Sequence, residues 1–113
     1  MLKLLTELEA KATEETEDAI ADFRTNLEIF RIRKAKLDMT FDIDLAREGL
    51  AETGLTLVEL GLVSRTTMIG ALATEFARPV DMDEAIRLLN DLDNRESAWK
   101  EAYGGSDRDE AEV

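Results

Sequence analysis

Histidine and cysteine are both missing from the chain, and these two absences exclude most of the common catalytic and metal-binding chemistries. Without them there is no zinc finger, iron–sulfur ligation, thiol nucleophile, disulfide or histidine-based acid–base mechanism. Carboxylates are abundant, but no spacing singles out a glycosidase pair, and the glycine-rich motifs that bind nucleotides do not occur. We therefore expect a protein that is not an enzyme and that uses no cofactor and no metal.

Basic residues are scarce as well. The 113 residues include 14 Lys and Arg against 26 Asp and Glu, which gives a net charge of −12. This balance disfavours direct binding to nucleic acid and attachment to an anionic membrane surface. No apolar run is long enough to span a membrane, and Glu7 and Glu9 interrupt the apolar N-terminus where a signal peptide would continue. We expect a cytoplasmic protein.

Proline and glycine are rare, with one Pro and six Gly, and the patterns that punctuate helices are correspondingly clear. Capping boxes predict three helix starts: Thr6-x-x-Glu9, Thr56-x-x-Glu59 and Asp81-x-x-Glu84. The predicted ends are Gly54 for the first helix, or the start of a turn there, Pro79 for the second, and Gly104 with Gly105 for the third.

These signals predict an all-α fold with a long N-terminal helix over about 7–48 and a helical hairpin over about 57–77 and 82–103. Residues 1–105 form one predicted domain. Residues 106–113 are predicted to be a disordered acidic tail, because they are strongly charged and offer no core side chain before Val113.

The first helix carries an apolar seam with heptad-like spacing. Its members are Ile20, Phe23, Leu27, Phe30, Leu37 and Phe41, at intervals of 3, 4, 3, 7 and 4 residues. This pattern fits one amphipathic helix of a bundle, and at its lower limit it fits a coiled coil between chains.

A helix over 7–48 would be roughly 60 Å long, whereas each helix of the hairpin would reach only roughly 30 Å. Half of the seam would then face water, which isolated soluble chains rarely tolerate. We therefore predict that another chain covers the seam, in an oligomeric helical bundle or a short coiled coil.

Residues 37–45 alternate strictly between apolar and polar side chains, which is a strand pattern. The same residues also form rows at helical spacing, and a lone strand has no evident partner in a chain this helical. We predict helix here, with an edge strand that pairs between chains as the alternative.

A basic island lies between two acidic blocks and consists of Arg31, Arg33, Lys34 and Lys36. It fits a charge register in antiparallel self-pairing, and equally well a contact with the acidic third helix of the same chain. The four side chains do not share one face, so they form a poor phosphate-binding stripe.

The segment from Glu59 to Ser64, followed by Ala71 to Phe76, resembles the acyl carrier protein family around its phosphopantetheine-bearing serine, which would be Ser64. That family has Asp directly before the serine, where this chain has Val63. The resemblance breaks at its defining position, and we expect no prosthetic arm on Ser64.

These observations predict a non-enzymatic structural or adaptor protein that self-associates or binds a larger protein through the seam, for example as an assembly accessory or chaperone of a virion. The alternative is an acidic DNA mimic or inhibitor that binds a basic, nucleic-acid-binding partner. The basic island favours the first function, because a mimic needs one continuous negative face.

Overall fold

The computed structural model describes residues 1–37 and 42–112, with side chains described as far as Ser97. These residues form five helices: α1 (Leu2–Ala10), α2 (Glu17–Lys34), α3 (Ile43–Glu59), α4 (Arg65–Ala77) and α5 (Met82–Glu112). The described ranges contain no strand, and the predicted all-α class is confirmed. Within the segment predicted as helix or edge strand, Leu37 lies in a bend and Ile43 begins α3, while 38–41 lie outside the described residues.

The predicted long helix over about 7–48 is wrong, because the chain is interrupted twice in that range. The first interruption follows α1, where the Thr13 amide donates to Thr16 Oγ1 at 2.9 Å and the two hydroxyls lie 3.2 Å apart. Threonine side chains that bond to nearby backbone offer the chain an alternative to helix. Thr6 does not cap a helix, since it lies inside α1 and its hydroxyl donates to the Leu2 carbonyl at 2.9 Å.

The second interruption is a Schellman motif at the end of α2. The Leu37 amide donates to the Ile32 carbonyl at 3.3 Å, and the Lys36 amide donates to the Arg33 carbonyl at 2.9 Å. Lys36 has φ 62°, in the left-handed region that glycine prefers. A lysine at this position gave no sequence signal for the end of a helix.

The predicted helix over about 57–77 is also two helices. Thr56 does not cap it but lies inside α3, with its hydroxyl donating to the Glu52 carbonyl at 3.0 Å. α3 ends in a second Schellman motif, in which Gly61 has φ 77°. Ser64 then caps α4, since its hydroxyl accepts a hydrogen bond from the Thr67 amide at 3.1 Å.

The turn between α4 and α5 follows its predicted pattern more closely. α4 ends at Ala77, and the extended conformation of Arg78 is the one that a following proline favours. Asp81 caps α5, with its Oδ1 accepting from the Glu84 amide at 3.1 Å. The predicted end at residue 103 is wrong, because the α5 backbone continues to Glu112. The domain limits and the disordered tail over 106–113 stay predictions.

The core forms around α2, which packs against α1, α3 and α5, while α4 packs against α3. The larger side chains of its main hydrophobic cluster come from α1 to α4, and they are Leu5, Leu8, Ile20, Phe23, Leu27, Phe30, Leu50, Leu57, Met68 and Leu72. Gly54 does not end a helix; it lies within α3, where a β-carbon would be 2.9 Å from Met68 Sδ and 3.3 Å from Phe23 Cε1. A close approach between helices is therefore the reason for glycine at this position.

The molecule is elongated, with principal extents of 51 × 33 × 21 Å. The 31 residues of α5 alone correspond to roughly 46 Å of helix. Within the described ranges, none of the helices combines the length and the apolar character that a membrane crossing requires.

Candidate interaction surface

The predicted interface residues lie along α2 and the segment that follows it. Ile20, Phe23, Leu27 and Phe30 are buried in the core of this chain, among side chains of α1, α3 and α4. Leu37 is half-buried, and Phe41 lies outside the described residues. Because the predicted long helix is broken and its segments fold against one another, no second chain is needed to cover these four buried side chains.

Arg31, from the basic island, is enclosed by two carboxylates of other helices. Its Nε and Nη2 donate to the two carboxylate oxygens of Glu75 at 2.8 and 2.7 Å, and its Nη1 donates to Glu84 at 3.2 Å. Arg31 is 8% exposed and Glu75 only 2%. A bidentate pair of this kind is strong and directional. It fixes α4 against α2, and the bond to Glu84 fixes the first turn of α5 as well.

Arg78 completes this group by donating from Nη1 to Glu84 at 2.8 Å. The hydrogen bond to Glu84 raises the pKa of Arg78, against the opposing effect of burial. We call Arg31, Glu75, Arg78 and Glu84 the Arg31 cluster. The cavity beside it measures about 10 Å³, which holds no more than one water. The Arg31 cluster is thus a structural element rather than a ligand pocket.

The other residues of the basic island have different surroundings. Lys34 Nζ donates to the main-chain carbonyls of Phe76, at 2.8 Å, and of Arg78, at the negative end of the α4 dipole. Arg33 is half-buried, and within the described residues its Nε is buried without a hydrogen-bond partner. Lys36 is exposed. Two of the four basic residues therefore hold α4 and the α4–α5 turn of their own chain.

The start of α5 and the turn before it carry a row of apolar side chains. Val80, Met82 and Ile86 are 46, 47 and 45% exposed, and Leu89 is half-buried. Met82, Ile86 and Leu89 follow the i, i+4, i+7 spacing that places residues on one helix face. Ala85 is the buried residue in this part of α5. We call Val80, Met82, Ile86 and Leu89 the α5 shoulder.

Acidic side chains border the α5 shoulder. Asp83 is exposed directly after Met82, and Asp93 is exposed one turn beyond Leu89 on the same face. The nearest exposed base on the helix is Arg87, one turn after Asp83 and farther around the helix from the shoulder. The α5 shoulder is therefore an apolar strip with an acidic border.

The other large apolar side chains that are exposed in the described part of the chain are separated from one another in sequence, and they are Leu2, Leu45, Leu60 and Ile69. Single exposed apolar residues are normal on a protein surface. Ile69 of α4, which is 49% exposed, nevertheless provides a matched control for Ile86.

A separate groove of about 220 Å³ lies between the α1–α2 connection and α5. Its two arginines are already paired, Arg24 with Glu9 at 2.7 Å and Arg95 with Glu28 at 2.8 Å. Glu17 also lines the groove, but it is exposed, and an exposed carboxylate does not by itself indicate a ligand. Among the residues described, no group of three or more acidic side chains could hold a metal ion.

Comparisons with protein-family models, with curated proteins and with solved structures gave no match to this chain. The α5 shoulder is therefore identified from the geometry of this chain alone. Apolar spacing alone would place Met82, Ala85, Ile86, Leu89 and Leu92 on one packed face of this helix. The small size of Ala85 is the sequence feature that distinguishes the buried position from the exposed ones. It lets α5 approach α2 and leaves the longer side chains beside it exposed.

Proposed function

We propose that this chain is a non-enzymatic adaptor that binds a larger protein through the α5 shoulder. The observation that carries the proposal is the row formed by the exposed Val80, Met82 and Ile86 and the half-buried Leu89, with acidic residues along its border. Contiguous exposed apolar side chains with a polar rim are characteristic of protein interaction sites. Partner binding would remove this row from water, which is the main favourable term in protein association.

The Arg31 cluster supports the same function by making the surface rigid before a partner arrives. Its buried and part-buried ion pairs join α2, α4 and the first turn of α5, the helix that carries Met82, Ile86 and Leu89. A preorganised surface loses little conformational entropy on binding. The shoulder would therefore bind as a fixed shape rather than fold around its partner.

Self-association through Ile20, Phe23, Leu27 and Phe30, in an oligomeric bundle or coiled coil, stays a prediction. It would require the chain to open, because these four side chains are buried in its own core. The α5 shoulder offers a route to a partner that leaves the core intact, and we favour it for that reason.

Site-specific photo-crosslinking tests this function. A photoreactive amino acid replaces Ile86 in one variant and the equally exposed Ile69 in the control, and each is expressed in cells that make the native chain. We expect discrete crosslinked partners from position 86 and not from position 69. Identical products from both positions, or none from position 86, would contradict the proposal. Light scattering at several concentrations shows whether the partner is a second copy.

A second candidate function is inhibition of a basic, nucleic-acid-binding protein by carboxylates that take the place of phosphates. Glu14, Glu15, Glu17 and Asp18 are exposed and form no ion pair within the part of the chain that the structure describes. Arg31 and Lys34 meanwhile have partners inside the molecule, so the basic island interrupts the negative surface less than its place in the sequence implies.

Two variants separate these functions. The first neutralises the four acids by Glu14→Gln, Glu15→Gln, Glu17→Gln and Asp18→Asn, and the second is Ile86→Asp. An inhibitor that imitates DNA would lose its partner in the first variant, and duplex DNA or added salt would displace that partner from the wild type. An adaptor would lose its partner in the second variant and would be insensitive to DNA.

A further inference from the structure

The spacing of the α5 shoulder restricts the shape of its partner. Met82, Ile86 and Leu89 cover about two helical turns, or roughly 10 Å along the axis of α5. They form a ridge beside Ala85, the buried residue at which α5 approaches α2. Ridges of this kind fit the grooves of another helix, which presents its own apolar residues at spacings of three and four.

The charges restrict the chemistry of the partner. Asp83 lies beside the start of the apolar row, Asp93 lies one turn beyond its last residue, and the chain as a whole has a net charge of −12. A helix with acidic flanks would be repelled by these carboxylates, whereas lysine or arginine on its flanks would pair with them. The nearest exposed base, Arg87, lies farther around the helix and does not separate the row from Asp83.

Resting on the proposed function, we infer that the occupant of the α5 shoulder is a basic amphipathic helix. Its apolar stripe lies along Met82, Ile86 and Leu89, and its cationic side chains lie against Asp83 and Asp93. The apolar contact supplies most of the affinity, and the two carboxylates set the orientation and exclude acidic helices.

Three designed peptides of equal length test this inference by fluorescence anisotropy. The first contains only Leu and Lys, with Leu at i, i+4, i+7 and i+11. The second contains the same residues in an order that leaves no apolar face, and the third replaces every Lys of the first by Glu. Titrations at about 0.15 M salt reduce unspecific attraction to the acidic chain, because charges more than about 8 Å apart are then largely screened.

We expect the basic amphipathic peptide to bind at least about tenfold more tightly than its shuffled form, because only the first presents an apolar stripe. Ile86→Asp weakens that binding at least about tenfold, whereas Ile69→Asp changes it less than about twofold. Asp83→Asn with Asp93→Asn weakens it and reduces its dependence on salt. Circular dichroism verifies that each variant is folded.

Equal binding of the shuffled or the acidic peptide, equal losses in Ile86→Asp and Ile69→Asp, or no binding at all would each overturn the inference. The two proposals fail separately. If position 86 crosslinks a cellular partner but the basic amphipathic peptide does not bind, the class of occupant is wrong and the adaptor function stands. If the peptide binds at the shoulder but cellular proteins crosslink equally at positions 86 and 69, the adaptor function is wrong.

Discussion

Gly54 and Gly70 both lie inside helices, but a β-carbon would have different surroundings at each. At Gly70 it would have no neighbour within 4 Å, whereas at Gly54 it would press on Met68 and Phe23. Gly70→Ala should raise the free energy of unfolding by about 1 kcal/mol, since alanine favours helix. Gly54→Ala should lower the free energy of unfolding by about 1 kcal/mol, because overpacking against Met68 and Phe23 outweighs the same gain in helix propensity. Urea unfolding monitored by circular dichroism measures both, and a stabilised Gly54→Ala variant would refute the close packing of α3 on α4.

Lys36 and Gly61 occupy the same position in the two Schellman motifs, with φ 62° and 77°. A side chain in this left-handed conformation costs roughly 1 kcal/mol, and glycine avoids that cost. Lys36→Gly should therefore raise the free energy of unfolding by about 1 kcal/mol, and Gly61→Ala should lower it by at least as much. Thermal and urea unfolding of the two variants measure these changes. If Lys36→Gly instead destabilises the chain, α2 does not end as described.

At the scale of the helices, the Arg31 cluster is the main polar contact between α2, α4 and α5. Arg31→Met leaves the buried Glu75 without its cation, and we expect the free energy of unfolding to fall by about 3–5 kcal/mol. The matched control is Arg24→Met. Arg24 pairs with Glu9 at a similar distance, but the two side chains are 46 and 40% exposed, so this loss should remain below about 1 kcal/mol. Chemical denaturation of both variants provides the comparison.

The double variant Arg31→Met with Glu75→Met separates burial of a lone charge from loss of the ion pair. It should be clearly more stable than Arg31→Met alone, since it leaves no unpaired carboxylate at position 75, and Glu84 keeps its bond to Arg78. If the double variant is no more stable than the single one, the packing of the Arg31 side chain rather than its charge holds the helices together.

The helix boundaries show how far the sequence could predict these elements. Asp81 and Pro79 gave the start of α5 and the end of α4 correctly, because both act on the backbone next to them. Thr6 and Thr56 were misread, since the capping-box pattern also occurs inside helices, where the hydroxyl bonds to the preceding turn. The end of α2, after which Lys36 takes the left-handed conformation, had no sequence signal.

The candidate site was harder to predict because its parts are distant in sequence. Arg31 and Glu75 are 44 residues apart. Pattern reasoning on one helix at a time gave a contact between the basic island and the acidic third helix only as one of two alternatives. The apolar row of α5 was visible in the sequence. Its exposure was not, because a helical stripe looks the same whether or not a neighbour covers it.

At the scale of the whole molecule, the question is whether the seam serves the fold or an assembly. A heptad-like stripe has the same period in both cases, and the choice of an assembly depended on one unbroken helix over about 7–48. With α1, α2 and α3 separated by turns, the chain folds back, and Phe23 becomes fully buried within it. The seam then contributes to the stability of the single chain.

Phe23→Asp and Ile86→Asp test this conclusion, since both place a charge at an apolar position. Phe23 is 0% exposed, so the carboxylate would be buried without a partner, and we expect the chain to lose its cooperative unfolding transition and most of its helical signal. Ile86→Asp should keep the cooperative transition and the helical signal, because the side chain at position 86 reaches water. Circular dichroism and light scattering on the same samples distinguish the outcomes. If Phe23→Asp remains helical and only its oligomeric state changes, Phe23 belongs to an interface between chains, and the core described here is wrong.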